Sequence, residues 1–158
     1  MKRRVAVLLH DVRSTHNVGS IFRSADAAGV SRMYLCGFTP TPTDRFGRVQ
    51  KDIAKTALGA EKFLAWEHHA SALRLISKLQ KEGWDIVAVE QDKRSIDYQR
   101  FDIKKPTLFI FGNEVQGLPK NILKRCDAVV EIPMRGKKES LNVSVVVGIV
   151  LFRAVNSH

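Results

Sequence analysis

Three short stretches of the 158-residue sequence gather the residue types that chemistry needs. Residues 10–23, HDVRSTHNVGSIFR, combine Asn17, Gly19 and Arg23 just after an apolar run. On a helical wheel Gly19 and Arg23 stand one turn apart and off the apolar stripe, so Gly19 is expected to leave open backbone that a substrate can approach. Asn17 is expected to cap the helix, a role that would by itself explain an Asn followed by a solvated Arg. Residues 111–119, FGNEVQGLP, leave another apolar run with Gly112 and Gly117 for tight turns, Asn113 between them and Glu114 as a lone carboxylate. Residues 132–142, IPMRGKKESLN, place Ser140 and Asn142 where helix-capping residues stand, with Arg135, Lys137 and Lys138 as a basic rim beside the helix start. Capping accounts for one of the two polar residues, not for both together with three cations.

The second stretch lacks the Lys and the spacing of a phosphate-binding P-loop, and no GxGxxG follows a strand pattern, so nucleotide hydrolysis and dinucleotide binding find no support. Cys36 and Cys126 form no CxxC or Cys/His spacing; they read as buried thiols of a reducing compartment, and no metal cluster is expected. His68 and His69 read as solvated residues of an amphipathic helix.

The elements that must carry these stretches follow from periodicity. Apolar runs at residues 5–9, 33–36, 86–89, 107–111 and 128–132 have the character of strands buried on both faces of a parallel sheet, with a further short strand at 63–66. Between them, apolar spacing predicts a helix from Asn17 to a stop at Gly29, a helical turn at 52–58 and a helix at 72–79. Residues 37–48, with two prolines and no periodicity, read as a long exposed loop. Residues 142–156 are valine-rich but too long for an ordinary strand, and they are read as a helix apolar nearly all round, buried in part by a second subunit. The class is α/β with a mostly parallel sheet flanked by helices, in a single domain covering 1–158, and its ligands belong beyond the carboxyl ends of the strands.

Charge points to the partner. There are 26 Lys and Arg against 16 Asp and Glu, a net +10, concentrated in residues 1–50 and 101–158 while 51–100 is nearly neutral. A polyanion is the expected partner, although a basic surface also serves solubility. The N-terminal apolar run is too short for a signal peptide and none approaches a membrane span, so a cytoplasmic protein is expected.

Taken together, the three stretches resemble the SpoU (TrmH-type) branch of the SPOUT superfamily, RNA 2′-O-ribose methyltransferases that use S-adenosylmethionine. The family's first motif is similar to Asn17-Val-Gly19 with Arg23; its second to residues 111–114 followed by Gly117-Leu-Pro119; its third to Ile132-Pro-Met134 and to residues 140–144. All three stand in family order. The resemblance implies a deep trefoil knot from about Asp85 onward, with S-adenosylmethionine held in it by Val89, Glu90, Gly112, Asn113, Gly117, Ile132, Met134, Ser140 and Leu141. It implies catalytic work for Arg23, Asn17, Glu114, Ser140 and Asn142, and a homodimer formed by the first and last helices. Arg23 stands either as the base that families of this kind are usually given or, because a guanidinium stays protonated, as a binder of the adjacent phosphate and the developing oxyanion. RNA capture falls to Arg13, Arg23, Arg45, Arg48, Arg135, Lys137 and Lys138, in what is expected to be a minimal catalytic domain without an RNA-binding extension. The alternative from another class is a catalytically silent RNA-binding protein that keeps the fold.

Overall fold

The computed structural model describes residues 4–156. Seven parallel strands form one sheet in the order β3-β2-β1-β6-β4-β7-β5: β1 Val5–His10, β2 Arg32–Cys36, β3 Trp66–His69, β4 Asp85–Val89, β5 Ile96–Asp97, β6 Thr107–Phe111 and β7 Ala128–Glu131. The central strands are apolar on both faces because both faces are covered. Val5, Val7 and Leu9 of β1 and Phe109 and Phe111 of β6 point to one side, where α1 (Thr15–Ala28), α2 (Lys51–Ala57), α3 (Ala60–Phe63) and α6 (Val143–Val155) pack. Ala6, Leu8, Leu108 and Ile110 alternate to the other side, under α4 (Ala72–Lys81) and α5 (Lys120–Leu123).

Strand order sets the site. From the edge strand β5 the chain returns across the sheet to β6, which lies between β1 and β4, and then enters β7 between β4 and β5. The carboxyl ends of β1, β6, β4 and β7 therefore lie side by side, and the three polar stretches follow β1, β6 and β7. No helix among the described residues is long and apolar enough to cross a membrane.

The structure corrects several local expectations. Helix α1 starts two residues before Asn17: Ser14 is the cap, its side chain accepting from the Asn17 N–H at 3.1 Å, so Asn17 sits inside the first turn and is 7% exposed. Residues 60–63 turn as α3, and the strand begins at Trp66; His68 and His69 are therefore on edge strand β3, not on a helix. There His69 bonds Glu67 at 2.9 Å and its ring lies 5.7 Å from that of Tyr34. The loop 37–48 is not wholly exposed, since Thr39 is buried and Thr43 bridges Val49. Strand β5 and helix α5, of two and four residues, are too short to leave a periodic signal.

Candidate active site

The second and third stretches meet in a cleft of about 290 Å³, and the first is tied to its wall through the Asn17–Glu114 hydrogen bond. The cleft is lined by all nine residues expected to hold the cofactor: Val89 and Glu90 after β4, Gly112, Asn113 and Gly117 after β6, and Ile132, Met134, Ser140 and Leu141 between β7 and α6. Glu114 lines it as well. The sequence did not single out Gln91, Val115, Glu131, Glu139, Val143 and Val146 as site residues; with Phe111 they complete the walls. Apart from their positions beside the motifs, nothing in the one-dimensional pattern marks them.

Side chains hold the backbone of this cleft in place. The Asn113 side-chain oxygen accepts from the N–H groups of Val115 and Gln116, both at 2.9 Å, while its amide nitrogen donates to the Asp11 carbonyl at 2.9 Å. One side chain thus shapes the turn after β6 and ties it to the loop after β1. Glu90 is spent similarly: it accepts from the Leu118 N–H at 2.8 Å beneath Gly117, which has φ +68°. A Cβ on Gly117 would stand 2.5 Å from the Glu90 carboxylate.

Gly112 needs a correction of reason. A Cβ there would meet the Gly117 carbonyl carbon at 2.7 Å and Leu118 at 2.8 Å, so its bare backbone serves the fold of its own loop before any ligand. The open approach expected at Gly19 is absent: a Cβ would strike the Thr56 hydroxyl at 1.9 Å and the Ile53 carbonyl at 2.4 Å, because α2 packs against α1 there.

Asn17, Glu114 and Asn142 come together although they lie up to 125 residues apart. Asn142 caps α6, its side-chain oxygen accepting from the Ser144 N–H at 2.9 Å and the Ser144 hydroxyl at 2.5 Å. Its amide nitrogen must then face outward, and it donates to the Asn17 oxygen at 3.2 Å. Asn17 in turn donates to the Glu114 carboxylate at 3.3 Å. A backbone N–H at one end and a carboxylate at the other fix the polarity of both amides, which couples the first turns of α1 and α6 to the loop after β6. His10 lies nearby at the end of β1, its Nδ1 buried without a hydrogen-bond partner and 3.8 Å from Asp11.

Arg23 is not brought into the cleft of its own chain. It is exposed on α1 and absent from the lining. Arg135, Lys137 and Lys138 are exposed on the loop that closes one side of the cleft, while Arg13, Arg45 and Arg48 are exposed on the loops after β1 and β2.

The electrostatics of the cleft run against those of the molecule. A chain of net charge +10 lines this cleft with Glu90, Glu114, Glu131 and Glu139 and with no Lys, Arg or His. A phosphate would meet four carboxylates; a cationic organic group would be attracted, and Val89, Ile132, Met134, Leu141, Val143 and Val146 offer apolar surface to the rest of it. Among the described residues no group of three or more His, Cys, Asp or Glu could hold a metal ion.

Comparison with known proteins agrees with this geometry. The SpoU rRNA Methylase family matches residues 4–152. A tRNA (guanosine(18)-2′-O)-methyltransferase of Aquifex aeolicus is 30% identical over 97% of this chain and 69% of its own length. A 23S rRNA (guanosine-2′-O-)-methyltransferase of Coxiella burnetii is 35% identical over 92% of this chain, which spans 56% of that relative. The AdoMet-bound rRNA methyltransferase from Sinorhizobium meliloti superposes with a TM-score of 0.87 at 30% identity, covering 97% of this chain and 56% of that one. With three motifs in register, the sheet order that joins them and a family match across nearly all of its length, this chain belongs to the SpoU rRNA Methylase family.

Proposed function

We propose that this chain transfers a methyl group from S-adenosylmethionine to the 2′-hydroxyl of a ribose in RNA. The observation that carries the reading is the acidic, half-apolar cleft set in a basic surface: the cleft suits a sulfonium cofactor, and the surface suits the polyanion to be modified. The cofactor supplies an electrophilic methyl on a cationic sulfur. In the balanced step an O–CH₃ bond forms, the S–CH₃ bond breaks, and the hydroxyl proton leaves.

The chain's own residues orient these partners. Gly112, Asn113 and Gly117, with Glu90 beneath them, hold the backbone wall; Ile132, Met134 and Leu141 provide apolar contact; Ser140 adds a hydroxyl at the rim. Asn17, Glu114 and Asn142 keep α1 and α6 in register with that wall. Arg23 stays protonated, so it binds the phosphate beside the target ribose and stabilises charge developing on the attacking oxygen, leaving the proton to water or a carboxylate. Arg13, Arg45, Arg48, Arg135, Lys137 and Lys138 contact the RNA backbone.

The working unit in this reading is a homodimer. Val145 and Phe152 of α6 are 48% and 43% exposed, on the side of the helix away from its buried residues Val147, Val150, Leu151 and Ala154. A second copy would cover that apolar stripe and bring its own Arg23 towards the cleft, which explains why Arg23 is outside it within one chain. The crossing from β5 back to β6 and then into β7 supports a family-type knot from Asp85 onward, and the two faces of one sheet support a single domain. The test is RNA-dependent turnover: S-adenosylhomocysteine should accumulate when the protein, S-adenosylmethionine and total small RNA are combined, and only when all three are present. Saturable RNA binding without any product would oppose the reading.

A further inference from the structure

The loop after β2 presents two aromatic rings that the cleft does not use. Phe38 is 75% exposed and Phe46 67%. Each ring has arginine over it: the guanidinium carbon of Arg13 lies 5.1 Å from the Phe38 centroid, and those of Arg45 and Arg48 lie 4.8 and 5.1 Å from that of Phe46.

Both rings are mounted on closely bonded backbone. The Phe38 N–H donates to the Asp11 carboxylate at 2.8 Å, between Asp11 at φ 54° and Gly37 at φ 63°. The next residue, Thr39, is buried, and its hydroxyl accepts from the Val12 N–H at 3.1 Å. Asp11 is also the residue whose carbonyl accepts from Asn113 in the cleft wall, so Phe38 is two hydrogen bonds from the proposed methyl site. Around Phe46, Asp44 accepts from the N–H groups of Phe46 and Arg48 and from the Arg48 guanidinium, at 2.9, 2.9 and 2.7 Å. These bonds, led by the Arg48 N–H, hold the Asp44 carboxyl below its ordinary pKa.

Exposed phenyl rings on hydrogen-bonded backbone, flanked by guanidinium groups, are the chemistry that stacks on the faces of unpaired bases, whereas a duplex keeps those faces within its own stack. A protein interface core, by contrast, is depleted of charge. We propose that Phe38 and Phe46, with Arg13, Arg45 and Arg48, form a stacking platform that holds unpaired bases flanking the methylated nucleotide, an RNA-positioning role outside the cleft. This rests on the RNA-methyltransferase reading above.

The test uses fluorescence anisotropy with a labelled 12-nucleotide oligoadenylate, alone and paired with oligouridylate. The expected result is that the single strand binds at least tenfold more tightly than the duplex, as stacking of this kind leads one to expect, and that Phe38→Leu and Phe46→Leu each weaken single-strand binding roughly tenfold. The slope of affinity against salt should stay unchanged in both, because no charge is lost, and Phe38→Trp should restore affinity. Leu variants that bind like the parent, equal binding of the duplex, or a change of oligomeric state in the Leu variants by light scattering would each overturn the platform. Failure of the underlying reading shows elsewhere: the parent protein would then not bind S-adenosylhomocysteine in calorimetry, a measurement that the Phe variants should leave untouched.

Discussion

At the residue scale, the proposed function gives Arg23 the RNA-facing role and the Asn142–Asn17–Glu114 chain the positioning role. The motif residues were visible in the sequence as types and spacings, but not their contacts: Asn17 reads locally as a cap, and only the meeting of chain segments 97 and 125 residues apart turns it into a relay. For Arg23→Ala the expected outcome is a fall in turnover of about a hundredfold or more at saturating RNA, with S-adenosylhomocysteine affinity nearly unchanged, since Arg23 lies outside the lining of the cleft in its own chain. Single-turnover rates and calorimetry check the two halves. The cysteines supply a pH prediction. Burial pushes the Cys36 thiol up from 9.0 to about 12, with Asp11 adding to it, and burial likewise pushes Cys126 up to about 11. The fold favours the neutral thiols, so their contribution is complete below pH 9 and is lost as pH rises from there towards 11 and 12. Denaturant midpoints should fall between pH 9 and 11, and Cys36→Ala should make that fall shallower.

At the scale of elements, apolar runs located five of the seven strands, because strands buried on both faces need no alternation to be recognised. The start of α1 was missed by two residues because Ser14 and Asn17 are both good caps, and which one serves depends on Glu114 drawing Asn17 inward. Gly19 shows the same limit: a missing Cβ signals close approach, while the approaching partner, here α2, comes from a segment that the local pattern does not name. Helix α6 is apolar nearly all round, so its pattern does not tell which valines face inward; Val150 is 2% exposed and packs in the core beneath the helix. Asn142 lets two functions of one element be separated. Asn142→Ala should destabilise the protein by about 1 kcal/mol through loss of the α6 cap. Asn142→Ser should recover most of that stability, since Ser also caps, yet fail to reach Asn17; thermal melts would then look restored while turnover stays low.

Over the whole molecule, the charge pattern predicted a polyanion partner, and the acid lining of the cleft adds what composition could not reveal, because its four glutamates come from three separate segments. Strand order was also hidden, since β6 enters between β1 and β4 after the chain has already passed to the edge at β5. The exposed stripe of α6 carries the assembly prediction. Phe152→Glu should convert a dimer at micromolar concentration to a monomer in light scattering and abolish methyl transfer, whereas an active monomeric parent protein would remove the shared-site account. The most direct measurement of the central claim is where the methyl group lands. RNA treated with this protein and isotopically labelled S-adenosylmethionine, digested to nucleosides and weighed by fragmentation mass spectrometry, should carry the label on the ribose fragment with the base unmodified; label on the base fragment would contradict the account.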